Sequence, residues 1–573
     1  MKDERHSGER TEPVVKSAAN DAAPPINGGT TSAESGISRR SFLGSIGVGA
    51  ALAGVGTSLV TFSEPAEALT TPTALARKRR TAARKVRTDA AKLAYNRGLV
   101  LNPGNGEEKD YPYVANFSKG LPHNALGEVD PAAYAALLTA LSTGLASDFE
   151  AIPLGGTAKL RNPQSGLAFD LEGPDSHATT MRAAPRIDGP ENSGEMAELY
   201  WMALARDVWF DEYGGNPIIA AAAADLNTMS DFRGPKIAGS VTAGSIFRGP
   251  TPAELYGPYV SQFLLKDIPY GSFTVNQRQW TLAPNINYMT DYDVWLHVLN
   301  GGGATSQQAR DPTVRYIRNG RDLGGYVLVD MLYQAYLNAC LILIGLKAPD
   351  DPGNPYKTYQ KTDAFATFGH PHIITLVTEV STRALKAVWY HKWYVHRRLR
   401  PEEFGGRIHN HVTGKATYPI DSEILNSPVL DEVFNRYGTY LLPQAFSDGC
   451  PLHASYGSGH ATVAGACATV LKAWFDESWV IPNPVVSNID GTSLVPYTGF
   501  DKGMITVGGE LNKVASNIAS ARDFAGIHWR TDFTEGLKLG EDVAIGVLQE
   551  QKATYNEKVT FSLTKFDGTT ITI

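Results

Sequence analysis

The chain has 573 residues, with 59 Asp and Glu against 52 Lys and Arg, giving a formal net charge of -7 at pH 7. This balance argues against general binding to nucleic acid or to anionic membranes, because those partners select for a broad excess of basic charge. Three cysteines, Cys340, Cys450 and Cys467, exclude a disulfide-rich scaffold, and none lies in a CxxC pair. They are compatible with one disulfide or with three buried thiols.

The first 68 residues predict a leader that is removed from the mature protein. Residues 1–37 are rich in Ser, Gly, Pro and charge without an apolar period, which is typical of disorder. Arg39 and Arg40 then precede a Gly- and Ala-rich apolar run, which is the twin-arginine export pattern, with cleavage expected after Ala68. A membrane anchor is the alternative, but such a span is normally richer in Leu, Ile and Phe. We therefore expect a secreted or periplasmic mature protein without a membrane segment.

From residue 69 to 573 the chain is predicted to form a single, mainly α-helical domain built from packed helical bundles. A basic segment opens it, and apolar residues then recur at steps of three and four residues in the segments 130–144, 193–210, 321–346, 370–399 and 459–475. Alternation typical of strands appears mainly in residues 558–573, where a hairpin is expected around Asp567 and Gly568.

The stretch KWYVHRRLRP, residues 392–401, gathers one Lys, three Arg and one His at the end of a predicted helix. Arg400 precedes Pro401, which disfavours helical backbone, so the helix is expected to end there. Eight residues separate Lys392 from Arg400, a rotation of only about 80° on an α-helix, so both cations can lean to one side. A solvated basic helix end is the alternative interpretation.

The stretch HASYGSGH, residues 453–460, leads into a second predicted helix. Ser458 and Gly459 are placed at its start, where unpaired N–H groups and the positive end of the helix dipole favour anions. The Ser458 hydroxyl and the His460 imidazole would face the same point. An ordinary N-cap with an incidental His is the alternative.

The stretch ARDFAGIHWRTD, residues 521–532, carries a third set of candidate side chains. Arg522 ends one helical pattern, Gly526 interrupts it, and His528 lies four residues before Asp532. On a helix these two would share a face, and the carboxylate would fix the imidazole tautomer. A purely structural His–Asp pair is the alternative. Together the three stretches supply the cations, donors and imidazoles that a tetrahedral or trigonal-bipyramidal oxyanion requires.

The motifs Lys-x7-Arg-Pro, Ser-Gly-His and Arg-x5-His-x3-Asp, in this order, resemble the vanadium-dependent haloperoxidases and the related acid phosphatase superfamily. The segments AELYWMALARDVWF, YMTDYDVWLHVLNG and FATFGHPHIITLVTEVSTRALKAV extend the resemblance to the bromoperoxidases of seaweeds and cyanobacteria. The resemblance implies two four-helix bundles and a homo-oligomer, dimeric or larger. The twin-arginine leader indicates an exported bacterial member.

The resemblance also implies the role of each residue. His528 would bond to vanadium, and Lys392, Arg400, Arg522, Ser458 and the Gly459 amide would hold the vanadate oxygens. His460 would act as acid–base on the axial oxygen. His453 occupies a position that is His in the bromoperoxidases and usually Phe in the fungal chloroperoxidases, and it would tune halide access or protonation. The seven-residue gap between Lys392 and Arg400 is the algal length, whereas the fungal enzymes and phosphatases generally have six. The resemblance also suggests a structural calcium as a further cofactor, and the sequence does not define its ligands.

The implied activity is oxidation of bromide or iodide by hydrogen peroxide on vanadate, releasing hypohalous acid that halogenates small organic acceptors. Chloride, the identity of the acceptor and the number of subunits stay open. One alternative is a phosphatase in which His528 attacks phosphorus and His460 protonates the leaving alcohol. Another is a non-catalytic oxyanion-binding protein, which would need the cations but no proton-shuttling His460.

Overall fold

The computed structural model describes residues 72–98 and 100–573, and the predicted leader, residues 1–68, lies outside them. Residues 72–573 form one compact unit. Its α-helices are α1 (Pro72–Asn96), α2 (Glu107–Asp110), α3 (Pro131–Thr143), α4 (Ala146–Glu150), α5 (Pro190–Ala205), α6 (Pro217–Leu226), α7 (Tyr292–Leu299), α8 (Gly320–Tyr326), α9 (Gln334–Gly345), α10 (His370–Tyr390), α11 (Pro401–Val412), α12 (Ser422–Leu425), α13 (Pro428–Tyr437), α14 (Gly459–Trp474), α15 (Val507–Phe524) and α16 (Arg530–Lys552). The mainly α-helical fold that the sequence predicts is confirmed.

Four of these helices, α10, α14, α15 and α16, pack against one another around a central α14. Nearly every residue of α14 is buried, which matches its run of Ala, Val, Gly and Leu. Glycines let α14 and α16 approach closely: a Cβ at Gly465 would lie 2.1 Å from the Leu537 oxygen, and one at Gly540 would lie 2.0 Å from the Thr462 oxygen. Helices α6, α12 and α13 form a second group around α5.

The strands make four two-stranded antiparallel hairpins or ribbons. They are β1 (Ile268–Tyr270), β2 (Phe273–Val275), β3 (Gln279–Leu282), β4 (Arg310–Arg315), β5 (Val485–Ser487), β6 (Leu494–Pro496), β7 (Ser562–Thr564) and β8 (Thr570–Thr572). The last pair is the predicted C-terminal hairpin, and Gly568 supplies the positive φ (85°) that its turn requires. The other three pairs were not predicted, because each strand is too short to show a period.

Two long helices predicted from apolar periodicity are interrupted. The segment 321–346 divides into α8 and α9, with a non-helical break at 327–333. The segment 370–399 remains α-helical only to Tyr390, continues as a π-helical turn at His391–His396, and leaves helical geometry at Arg397, whose φ is 40°. The rotation argument that places Lys392 and Arg400 on one α-helix is therefore wrong, and both interruptions lie at the candidate site.

Within the described ranges, no helix combines the length and the apolar character needed to cross a membrane. Cys340, Cys450 and Cys467 are all buried as free thiols, so the disulfide alternative is not realised. Burial raises the pKa of the Cys340 thiol to about 12, which keeps it protonated.

Candidate active site

The three sequence stretches 392–401, 453–460 and 522–532 meet in the folded chain. The Lys392 ammonium donates to two main-chain oxygens of the 453–460 stretch, at 2.8 and 2.9 Å. The Arg400 guanidinium donates to the His453 oxygen at 2.9 Å and to the Ile527 oxygen at 2.7 Å. Backbone oxygens of the second and third stretches thus hold Lys392 and Arg400 of the first stretch in place.

Lys392, Arg400 and Arg522 form a cluster of buried cations. No Asp or Glu oxygen in the described part of the chain lies within ion-pair distance of any of them, and the buried Nε of Arg522 has no hydrogen-bond partner. Burial, followed by the charge of Arg400, lowers the pKa of Lys392 well below its usual value, and burial lowers the pKa of Arg522 to about 10. Because a buried charge without a counter-ion costs several kcal/mol, by a rough general estimate, the cluster is suited to an anion.

The start of α14 faces the same region. Ser458 is its N-cap, and the Ser458 hydroxyl accepts from the Ala461 N–H at 3.4 Å. A Cβ at Gly459 would lie 3.2 Å from the Trp389 ring, so the bare backbone permits this close approach. The first N–H groups of a helix have no intrahelical acceptor and are available to an anion.

His528 is oriented by Asp532. The Nδ1 of His528 lies 2.7 Å from a carboxylate oxygen of Asp532, and its Nε2 lies 3.0 Å from an Arg400 NH1 group. A carboxylate accepts and a guanidinium donates, so the proton is assigned to Nδ1 and the lone pair to Nε2, the form that binds metals. Burial, followed by the charge of Arg400, holds the pKa of His528 well below its usual value, which keeps the ring neutral. His528 precedes α16 instead of lying on it, so the predicted shared helix face is wrong although the pair itself forms.

Asp532 is itself held in place by buried donors. The Ser455 hydroxyl donates to it, and the Arg398 guanidinium lies 3.2 Å from its second oxygen. Arg398 also bonds to Glu195 at 2.7 Å. Sequence reasoning missed these supporting residues, because their role depends on contacts between distant segments.

His460 pairs with an acidic residue that the sequence analysis missed. Its Nε2 lies 3.0 Å from a carboxylate oxygen of Asp330, which belongs to the break between α8 and α9. Burial lowers the pKa of His460, while the charge of Asp330 opposes that shift. Asp330 is the one acidic residue in the apolar run YVLVDMLY. An acidic residue in such a run was the sequence signal that could have identified Asp330 as a candidate site residue. The nearby Val327 oxygen accepts from Arg522 at 2.9 Å, so the break contributes two contacts.

His453 lies on the side of the cluster that faces Trp389. An Arg400 NH2 group lies 2.9 Å from the His453 Nδ1, and the rings of His453 and Trp389 are 4.9 Å apart, centroid to centroid. The Lys392 ammonium lies 5.8 Å from a Trp389 ring centroid. Burial, followed by the charge of Arg400, holds the pKa of His453 well below its usual value. Trp389 therefore borders the site beside three predicted residues, although nothing in the sequence distinguished it from a core aromatic.

No group of three or more His, Cys, Asp or Glu side chains in residues 72–98 and 100–573 is arranged to hold a metal ion. A structural calcium stays a prediction without assigned ligands. Vanadate needs no such group, because one imidazole and several donors to its oxygens are enough to hold an oxyanion.

Comparisons with known proteins identify the family of this chain. The family described as the VCPO second helical-bundle domain matches residues 372–557. A vanadium-dependent bromoperoxidase of Corallina officinalis is 38% identical over 86% of this chain and 98% of its own length, and one of Ascophyllum nodosum is 38% identical over 83% and 88%. The homohexameric structure of a second vanadate-dependent bromoperoxidase from Ascophyllum nodosum superimposes with a TM-score of 0.84 at 29% identity, covering 93% of this chain and 95% of that one. The predicted family is confirmed, and this chain belongs to the vanadium-dependent bromoperoxidases.

Proposed function

We propose that this chain is a haloperoxidase that uses vanadate and hydrogen peroxide to oxidise bromide and iodide to hypohalous acid, which halogenates organic acceptors. The observation that carries the proposal is the cluster of Lys392, Arg400 and Arg522, buried without a carboxylate partner among the described residues and lying beside the His528 imidazole. Membership of the bromoperoxidase family supports the same conclusion.

The residues present fit vanadate. Lys392, Arg400 and Arg522 would neutralise its oxygens, the Ser458 hydroxyl and the first amides of α14 would donate to them, and the His528 Nε2 would bind the metal. The unpartnered Nε of Arg522 is a donor that such an oxygen would satisfy. Bound vanadate supplies a Lewis-acidic centre that activates peroxide for reaction with a halide without a change in the oxidation state of the metal.

The histidines divide the remaining tasks between them. Asp330 accepts from the His460 Nε2–H, which leaves the Nδ1 of His460 free to take and return a proton. Asp532 holds the opposite tautomer on His528, with the proton on Nδ1 and the lone pair on Nε2. The two imidazoles are therefore prepared for different tasks, one for proton transfer and the other for binding the metal.

Bromide and iodide are the proposed halides. His453 carries the residue type of the bromide enzymes at a position that borders Trp389 and Arg400. A side-by-side assay of chloride, bromide and iodide on vanadate-loaded protein, with and without peroxide, tests this. Bromide and iodide oxidation that requires both vanadate and peroxide supports the proposal. Hydrolysis of phosphate esters that vanadate inhibits, with no bromination of a phenol, contradicts it and favours the phosphatase.

His460→Ala separates an enzyme from a protein that only binds oxyanions. Vanadate binding should persist, because the three cations remain, and turnover should collapse, because the proton shuttle is gone. A wild-type protein that binds vanadate tightly yet turns over no halide would favour simple oxyanion binding.

We also propose that the mature protein is exported by the twin-arginine route and assembles as a homo-oligomer. The Arg39–Arg40 pattern supports export, and the homohexameric relative supports assembly. Export should fail when both arginines are changed to Lys, as measured by the cell fraction that holds the active protein. Light scattering on the purified mature chain should give a mass of two subunits or more, and a monomer would contradict the proposal.

A further inference from the structure

A cleft of about 530 Å³ opens on the outer side of the break between α8 and α9. Its walls come from the β1–β2 hairpin, the start of β3 and the start of β4, and Asp330 belongs to its lining. Asp330 is also the residue that accepts from His460 at 3.0 Å. One side chain therefore separates this cleft from the proposed proton shuttle.

The cleft carries exposed aromatic and apolar surface. Trp280 is 65% exposed, Val329 is 66% exposed and Tyr270 is 57% exposed, and all three line the same depression. Its volume lies within the general range of about 300–1,000 Å³ for pockets that bind small molecules, and aromatic linings are typical of such pockets. Contiguous exposed apolar surface of this kind usually marks a binding site.

Two cations border the aromatic surface and have no acidic partner among the described residues. Arg278 and Arg310 both line the cleft, and no described Asp or Glu lies within ion-pair distance of either. The Arg278 Nε donates to Asn276 at 2.9 Å, while the Arg310 guanidinium makes no hydrogen bond within the described residues. Unpaired guanidinium groups beside aromatic rings suit a ligand that combines an aromatic body with a carboxylate.

We propose that this cleft binds the organic acceptor, an electron-rich aromatic molecule with a carboxylate group, whose ring lies against Trp280 and whose carboxylate faces Arg310. The inference rests on the proposed function, because hypohalous acid is the halogen donor. An electron pair of the ring forms the carbon–halogen bond while the oxygen–halogen bond breaks. The ring proton and the released hydroxide then leave as water, and the ring carbon is oxidised by two electrons as the halogen is reduced.

Calorimetric titration with 4-hydroxyphenylacetate, a phenol bearing a carboxylate, tests the site without turnover. The titration uses the vanadate-loaded full assembly, with no peroxide and no halide, so binding is measured independently of halogenation. Trp280→Ala should weaken binding by about 3- to 10-fold, from the general value of an aromatic contact. Arg310→Gln should remove the preference of the wild type for this acid over neutral 4-methylphenol.

Matched controls come from exposed residues outside the cleft. Phe500 is fully exposed, and Arg84 is an exposed cation of α1, so Phe500→Ala and Arg84→Gln should bind the acid as the wild type does. Absent binding in the wild type, or equal weakening in controls and cleft variants, overturns the inference. So does an oligomer that dissociates in Trp280→Ala, because the cleft would then be an interface between copies. A wild-type protein that binds the acid in this cleft but halogenates nothing would contradict the proposed activity and not this site. A wild-type protein that halogenates but does not bind the acid would contradict this site and not the proposed activity.

Discussion

Replacing Asp330 by Asn removes the negative charge that faces His460 while keeping the size of the side chain. The wild-type contact is a 3.0 Å hydrogen bond between the His460 Nε2 and a buried carboxylate. A hydrogen bond to a charged group contributes roughly 1.5–3 kcal/mol, so we expect kcat/KM for bromide to fall by about 10- to 150-fold. The loss should appear in turnover more than in vanadate affinity, because Asp330 forms its hydrogen bond and ion pair with His460 and none with the three cations.

The pH profile distinguishes this role from a purely structural one. Asp330 opposes the lowering of the His460 pKa that burial causes, so the variant should have a still lower His460 pKa. If neutral His460 takes the proton, the acid limb of kcat/KM then moves to lower pH. Tyr336→Phe is the matched control and should keep wild-type activity, because it removes from α9 a buried hydroxyl that has no hydrogen-bond partner in the part of the chain that the structure describes. Unchanged activity and an unchanged acid limb in Asp330→Asn would refute the assignment.

Three further predictions concern the anion and the buried histidines. Lys392→Met should weaken vanadate binding by about 10- to 150-fold, because it removes one charged donor, and calorimetry measures this change. The variant should also show a smaller rise in Tm at a given vanadate concentration. An unchanged vanadate affinity would show that Lys392 does not belong to the site. Phosphate, also a tetrahedral oxyanion, should raise the apparent Kd of vanadate in proportion to its concentration, and noncompetitive behaviour would contradict a shared site. His396 is buried, neither of its ring nitrogens has a hydrogen-bond partner within residues 72–98 and 100–573, and burial lowers its pKa to about 3. Below about pH 6.5 the unfolded chain therefore binds a proton that the folded chain does not. As the pH falls, the free energy of unfolding of the wild type should drop by about 1.4 kcal/mol per pH unit relative to that of His396→Leu. The same difference in unfolding free energy between the two proteins at pH 6.5 and at pH 4.5 would contradict this.

The sequence predicts the chemistry of the site better than its geometry. Lys392, Ser458 and His528 could be selected because residue type and spacing report which functional groups are present, and this information is local. The break at 327–333 could not be predicted, since the run VLVDMLY is apolar apart from Asp330 and the contacts that the break makes, with Arg522 and His460, come from distant segments. Tertiary contacts overrode local propensity there, as they often do.

The three short strand pairs between β1 and β6 were missed for a related reason. Each strand has three to six residues, and β2 is exposed along its whole length, so no face shows a buried alternation. The C-terminal hairpin was predicted because residues alternate on both sides of the Asp567-Gly568 pair, which is a common turn sequence. Strand prediction from a single sequence thus depended on turn chemistry.

The π-helical turn at His391–His396 lies in the segment that joins Lys392 to Arg400 and affects how far apart the two cations are. A π turn contains one residue more per hydrogen-bonded ring than an α turn, so it stores a single-residue insertion within the helix. Shortening this turn by one residue would return it to α-helical winding and leave the ammonium and the guanidinium at their present anchoring points. The distance between the Lys392 ammonium and the Arg400 guanidinium is thus set by the winding of this turn as well as by the number of residues between them.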